Sequence, residues 1–207
     1  MTYSASSTFD SALPAAPTSP TAATTRLPGD LVVWFLVLLE LLTFAMLFVA
    51  FAGARLKHPD LFAAGQATLD LNSGAINTVL LISASACAAR ALHSVQQRSP
   101  QVAARWLLAA LLFGLGFLGV KSVEYLHKWQ EGIDVANNTF AMLYVGITGF
   151  HFLHAAVGCL FFALLWAPTR RGAYSPENCH TLETVTVFWH MVDLLWMVLF
   201  PLIYVLR

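Results

Sequence analysis

The residues of this sequence best suited to chemistry are acids and imidazoles that interrupt long apolar segments. Glu40 lies among aliphatic neighbours, where a carboxylate at the centre of a bilayer costs about 2.5 to 3.5 kcal/mol unless it has a partner. The other such residues occur in the C-terminal third: His151, His154, Glu183, His190 and Asp193. Groups of this kind either hydrogen-bond neighbouring helices or take up and release protons.

The positions of these residues along apolar helices allow their depths to be compared. With a rise of about 1.5 Å per residue, Glu40, His151 and Asp193 come at a similar level. His154 and His190 then lie slightly towards the cytoplasmic side. We therefore predict one buried polar cluster, structural or proton-handling, with these members: Glu40, His151, His154, Glu183, His190 and Asp193. The spacing is not dense enough to predict a metal site.

A lysine and a glutamate three residues apart form a second candidate feature. Lys121 and Glu124 lie in the outer half of the third apolar segment. Side chains at i and i+3 of a helix are neighbours, so these two can pair. We predict an interfacial ion pair.

The elements that must position these side chains are membrane helices. Of 207 residues, 58% are hydrophobic and 11% are charged, which is far from the composition of a soluble domain. Apolar segments are separated by polar residues and prolines, and we predict that Pro168 ends the fourth. The predicted helices cover about 31–54, 73–95, 102–127, 139–166 and 182–206. Because no period-2 alternation is present, the sequence predicts an all-α membrane protein, a bundle of five transmembrane helices.

The segment before the first helix has a different character. Residues 1–26 are rich in Ser, Thr, Ala and Pro and nearly uncharged, which predicts a disordered polar tail ahead of a transmembrane domain over 27–207. An odd number of spans places the termini on opposite sides. Arginines and lysines are more frequent on the side of the N-terminus, so the positive-inside rule predicts a cytoplasmic N-terminus and a periplasmic C-terminus.

Several short segments resemble the cytochrome c oxidase subunit III family. Residues 34–44 read WFLVLLELLTF, 74–78 read GAINT, 148–158 read TGFHFLHAAVG and 189–196 read WHMVDLLW. Glu124-Tyr125 resembles the motif that closes the third helix of the family. Each fragment is weak by itself, but together, in order and at fitting spacing, they identify a resemblance over most of the chain.

The resemblance implies a non-catalytic subunit of a respiratory haem-copper oxidase, which supports assembly, stability and proton uptake during electron transport. Haem and copper are then expected in partner subunits, no cofactor is expected on this chain, and bound phospholipid is compatible with the family. Larger members have seven helices, and the shorter form resembles bacterial members of the inner (plasma) membrane. Residues 27–30 and 66–70 look most like the branch associated with nitric oxide reductase.

Two other functions are compatible with the same residues. One is a haem b-binding membrane anchor that passes electrons from quinol, with His190 and either His151 or His154 as axial ligands. The other is a small proton channel or transporter that uses Glu40 and the histidines. A net charge of zero gives no basic surface for nucleic acid.

Overall fold

A computed structural model describes residues 31–206 of the chain. The predicted tail over residues 1–26 and the terminal Arg207 lie outside the described residues. The described part consists of six α-helices: α1 (Leu31–Lys57), α2 (Pro59–Ala67), α3 (Leu71–Gln96), α4 (Pro100–Gln130), α5 (Thr139–Arg170) and α6 (His180–Phe200). A π-helical turn, Pro201–Val205, extends α6.

Five of these helices, all except α2, are long and apolar enough to cross a membrane. Over residues 31–206 the chain forms no strand beyond an isolated bridge between Ser175 and Asn178. The prediction of an all-α bundle of five transmembrane helices is therefore confirmed. The reason is that an isolated segment in lipid can satisfy its own backbone groups only as a helix.

Four of the five helices extend somewhat beyond the predicted segments, whereas α6 and its π-helical turn end at Val205, one residue before the predicted limit. The role predicted for Pro168 is wrong. Helix α5 continues through Pro168 to Arg170. A proline in the last turn removes only its own amide bond, and the Thr169 hydroxyl donates to the Leu165 carbonyl at 2.7 Å in the same turn. Pro59 and Pro100 each begin a helix. Proline is tolerated there because amide protons in the first turn have no intrahelical acceptor, so the one that proline lacks costs no hydrogen bond.

The short helix α2 was not predicted by the sequence pattern. It lies at the end of the bundle where α1 ends and α3 begins, and Phe62 is fully buried there. The Phe62 ring packs edge-on against Phe51 of α1 and Phe140 of α5, with centroid separations of 5.1 and 5.5 Å. This aromatic cluster fixes the connection between α1 and α3.

Gln66, on the same short helix, binds the end of the last helix. Its side-chain amide Nε2 donates to the carbonyl oxygens of Leu202, Ile203 and Leu206 at 3.3, 2.9 and 3.0 Å. Helix ends leave carbonyls without intrahelical partners, and these carbonyls are partly or fully buried. Gln66 thus serves as a distant C-terminal cap for the π-helical turn.

Replacing Gln66 with leucine is expected to lower the free energy of unfolding by about 1 to 3 kcal/mol, because buried carbonyls lose their donor. The measurement is thermal unfolding of the detergent-solubilised protein. Gln101→Leu is a matched control, since Gln101 is exposed and donates to a single carbonyl, that of Arg170, at 3.2 Å. Equal losses in the two variants would show that the Gln66 contacts add nothing.

The bundle is built around helices α3 to α6. Helix α4 packs between α3 and α5, and α6 packs against both α3 and α5. Helix α1 rests on α5 and α6, and only 11% of its most apolar segment is buried within the chain. Most of α1 therefore faces the surroundings of the protein.

Trp189 fixes the spacing of three helices at the centre of the bundle. Its ring is fully buried and lies between Gly114 of α4 and Gly158 of α5. A Cβ atom at Gly158 would lie 2.5 Å from the Trp189 ring, and one at Gly114 would lie 2.6 Å from Cys159 Sγ. Only glycine permits this close approach, which is a common device where membrane helices pack.

Candidate functional site

Glu40 and His154 form the polar contact between α1 and α5. His154 Nε2 lies 3.3 Å from Glu40 Oε2, and the two side chains are 11% and 24% exposed. The other ring nitrogen, Nδ1, lies 2.8 Å from the Phe150 carbonyl oxygen. Rings of Phe44 and Phe150 pack edge-on against the imidazole, at 5.6 and 4.6 Å. The pair is therefore held in an aromatic environment with little access to water.

The hydrogen bond of His154 to Phe150 determines which ring nitrogen faces Glu40. A carbonyl can only accept, so Nδ1 carries a proton and donates to Phe150. In the neutral ring, Nε2 then carries no proton and presents a lone pair to Glu40. Its contact with a carboxyl oxygen is favourable only when one proton lies between them, on Glu40 or on Nε2, because two lone pairs would otherwise face each other. A proton-handling role for the Glu40–His154 pair is compatible with this geometry and remains a prediction.

This pair lies at one end of an apolar groove between α1, α5 and α6. The groove has a volume of about 670 Å³. Most of its lining is aliphatic or aromatic, and Thr181 and Thr184 lie at the end next to the start of α6. A groove of this shape and composition suits a hydrocarbon chain, with the Glu40–His154 pair as its only carboxylate and imidazole among the described residues.

His151 is in a different environment from His154, although the two are one turn apart. It is fully buried, and both ring nitrogens lack hydrogen-bond partners among the described residues. The imidazole is surrounded by the rings of Phe117, Trp196 and Phe44, with centroids 5.6, 5.3 and 6.4 Å away. These rings occupy the space next to the imidazole that a planar porphyrin would need.

A third group of the predicted residues lies between α3 and α6. His190 Nδ1 lies 2.6 Å from the hydroxyl oxygen of Ser85, and the carboxyl group of Asp193 lies beside these two side chains. Ser85 is buried, whereas His190 is exposed on the outer face of α6. This arrangement links an acid, a hydroxyl and an imidazole at the surface of the bundle.

Glu183 lies apart from the other predicted residues, at the start of α6. Its Oε1 accepts from the thiol of Cys179 at 3.2 Å. Burial, together with this hydrogen bond, raises the pKa of Cys179 to about 11, so that the thiol stays protonated at neutral pH. Glu183 and Cys179 therefore stabilise the first turn of the helix.

The predicted single cluster is thus divided among separate locations in the described part of the chain. Glu40 and His154 face α1, His151 points into the core, and His190 and Asp193 face α3. One physical reason is the 100° rotation per residue of a helix, which turns His151 and His154 about 60° apart and into different surroundings. Glu183 and His190 share a face of α6, but the seven residues between them separate them by about 10 Å along the helix axis. Their structural or proton-handling role remains a prediction.

Lys121 and Glu124 do pair, and both side chains lie inside the bundle; the position of the pair at the membrane interface remains a prediction. Lys121 is fully buried, and its Nζ lies 2.9 Å from Glu124 Oε1. It also donates to the hydroxyls of Tyr144 and Tyr204, at 3.1 and 2.6 Å. Both hydroxyls in turn donate to Glu124 Oε1, that of Tyr204 at 2.6 Å. Together these four residues form the buried lysine network.

Aromatic faces complete the surroundings of this lysine. The rings of Tyr144, Tyr125 and Tyr204 have their centroids 4.9, 5.1 and 5.3 Å from Nζ, close enough for cation–π attraction. The sequence pattern did not single out Tyr144 and Tyr204, nor Ser85 and Gln66. Tyrosines within transmembrane segments are the one signal that could have pointed to the first two, because a buried hydroxyl needs a partner.

In the described range no three His, Cys, Asp or Glu side chains are grouped so as to hold a metal ion. The polar side chains link helices and line a groove, so fold and sites define a polytopic α-helical membrane protein whose polar groups lie between helices. The sequence model for cytochrome c oxidase subunit III matches residues 24–207. The chain belongs to the cytochrome c oxidase subunit III family.

Individual relatives agree with this assignment. The chain is 31% identical to the cytochrome c oxidase subunit 3 of Synechocystis sp., over 84% of this chain and 74% of the relative. It is also 31% identical to the cytochrome c oxidase subunit 3 of Thermostichus vulcanus, over 81% of this chain and 82% of the relative. A more distant relative, 24% identical over 84% and 82% of the two chains, is the cytochrome bo(3) ubiquinol oxidase subunit 3 of Pseudomonas aeruginosa.

The family assignment confirms the predicted function in its main part. The chain is a non-catalytic subunit III of a haem-copper oxidase, a multi-pass membrane protein that associates with other subunits of that respiratory complex. None of the relatives described above is named for nitric oxide reductase, so the predicted link to that enzyme has no support.

Proposed function

We propose that this subunit supports assembly, durability and proton uptake of its oxidase, and that the Glu40–His154 pair is the group through which it acts on protons. The contact of Glu40 Oε2 with His154 Nε2 at 3.3 Å carries the proposal. Such a contact needs one proton, and the aromatic surroundings keep out water that would compete for it. A site of this kind can hold a proton near the catalytic subunit between turnovers.

The proposal includes the setting of the subunit. It lies in the bacterial plasma membrane, with the N-terminus in the cytoplasm and the C-terminus in the periplasm. In this orientation the groove runs from the Glu40–His154 pair towards the cytoplasmic start of α6. We further propose that a phospholipid acyl chain occupies the groove, since its lining is almost entirely apolar and its volume of about 670 Å³ accommodates one.

The test replaces Glu40 with glutamine, which keeps the shape of the side chain and removes the proton-binding oxygen. We expect the purified oxidase with Glu40→Gln to assemble normally, but to take up protons severalfold more slowly and to lose activity sooner during turnover. Proton uptake is measured with a pH-sensitive dye in oxidase-containing vesicles, and durability by the decay of oxygen consumption.

Glu177→Gln is a matched control on the same predicted side, because Glu177 is 66% exposed and pairs only with Arg98 in the described structure. If the Glu40→Gln oxidase takes up protons as fast as wild type and stays active as long during turnover, the Glu40–His154 pair serves only in helix packing. A drop of the same size in Glu177→Gln would show that the effect is not specific to this site.

A separate prediction concerns the cofactors. We propose that the haems and copper of the complex belong to its other subunits, because the rings around His151 occupy the space that a porphyrin would need. The purified chain is expected to show no Soret absorption, while the co-purified complex shows it. A Soret band that follows the isolated chain, and is lost in His190→Ala, would favour the haem b anchor instead.

A further inference from the structure

His190 is a polar side chain on the outer surface of a transmembrane helix. It is exposed in the isolated chain, and its Nδ1 is held by Ser85 of α3 at 2.6 Å. One turn later comes Asp193, whose Oδ1 is buried and has no partner among the described residues. We call this region, Ser85 with His190 and Asp193, the α3/α6 polar face.

The α3/α6 polar face lies near the middle of the membrane. The span that contains it, His180–Val205, has 26 residues. At about 1.5 Å per residue it is roughly 39 Å long, so His190 and Asp193 lie within about 5 Å of its midpoint. The hydrocarbon core is about 30 Å thick, and neither water nor lipid head groups reach this depth.

Acyl chains are an unfavourable neighbour for this face, because they cannot donate or accept hydrogen bonds. Ionisable residues at such depth almost always face protein or a water-filled cavity. The flanking residues suit helix packing: Leu194 is 54% exposed and Ile82 is 46% exposed, while the exposed Ala89 permits close approach of another helix. A protein neighbour is therefore the occupant that the chemistry favours.

The charges define what kind of helix this neighbour is. Asp193 brings an acid, and in the described range no Lys or Arg pairs with it or with His190. A second copy of this chain would place another Asp193 and His190 opposite, without adding a cation. A helix that carries a basic or hydroxyl donor at the same depth complements the face.

We infer that the α3/α6 polar face is the surface by which this chain docks onto a transmembrane helix of another subunit of the oxidase, one with a hydrogen-bond donor level with His190. The inference rests on the proposed function, since it assumes that the chain acts within the assembled complex. It adds which of the exposed helix faces makes the contact and what chemistry the partner offers.

The test places a photoreactive benzoylphenylalanine at position 194 or, as a control, at position 160, in the chain expressed with its complex. The two leucines are equally exposed, at 54% and 55%, but Leu160 lies on α5 away from the polar face. We expect irradiation to join position 194 to one other oxidase subunit and position 160 to none. Adducts of position 194 with a second copy or only with lipid would overturn the inference, as would subunit adducts from position 160 alone.

A second measurement separates docking from folding. His190→Leu is expected to leave the thermal stability of the purified chain unchanged or higher, because leucine suits lipid better than imidazole does. The amount retained in the purified complex is expected to fall about tenfold, the size of effect typical for a buried interface residue. Unchanged retention would overturn the inference. If the wild-type chain itself fails to co-purify with a haem-copper subunit, the proposed function fails instead.

Discussion

Replacing Lys121 with methionine is expected to lower the free energy of unfolding by about 3 to 5 kcal/mol, because it leaves Glu124 as a buried acid without its cation. Lys121 is fully buried, and its ammonium group is the only cation within 4.0 Å of Glu124 in the described structure. The hydroxyls of Tyr144 and Tyr204 would still donate to the carboxylate, but they cannot neutralise it. The measurement is thermal or denaturant unfolding in detergent micelles.

The double variant Lys121→Met with Glu124→Leu gives the decisive comparison. It removes both charges, so we expect it to be more stable than Lys121→Met alone, although the tyrosine hydroxyls lose their acceptor. Losses that simply add would mean that the two side chains are not coupled. The pair Lys128 and Glu131 is a matched control: it is also an i,i+3 pair, at 2.6 Å, but Glu131 is 61% exposed and its loss should have little effect.

Trp189→Ala is the second substitution with a large expected effect, about 3 kcal/mol of lost stability, at the lower end of the cost of such changes in soluble cores. The unfolded reference of a membrane protein is already in lipid, so the transfer part of the usual cost is small. The lost packing contacts and the cavity between Gly114 and Gly158 remain. We expect a lower melting temperature and faster dissociation from the complex.

Trp129→Ala serves as the control, because Trp129 is 76% exposed at the C-terminal end of α4. It is expected to change stability by less than about 0.5 kcal/mol. Gly158→Leu should act like Trp189→Ala, since any side chain at this position collides with the same ring. Stability equal to wild type in both would mean that the three helices adjust freely at this point.

Much of the fold follows from elementary properties of the sequence. Long apolar segments must form helices in a bilayer, so their number and approximate limits could be predicted. The spacing of Lys121 and Glu124 was also informative, because residues three apart on a helix are neighbours whatever surrounds them. Helix α2 escaped prediction because it is short, and its stability comes from the contacts of Phe62 and Gln66 with distant parts of the chain.

The grouping of the polar residues could not be predicted for a different reason. A helix that is apolar all round carries little information about which side faces inward, since lipid and protein interior are similarly apolar. Depth could be estimated from residue counts, but rotation about the helix axis could not. This is why Glu40, His151 and Asp193 were expected together, while the structure gives each a different neighbour.

The contacts of Gln66 have a consequence for the timing of biogenesis. They join residues 136, 137 and 140 positions apart, so they form only after residues 202 to 206 have left the ribosome. Until then the side-chain amide of Gln66 lacks these carbonyl partners, and the helix that carries Gln66 and Phe62 is not yet packed against the end of the last helix. Completion of the last helix thus closes this end of the bundle, and a chain halted earlier would present an unfinished surface to membrane proteases.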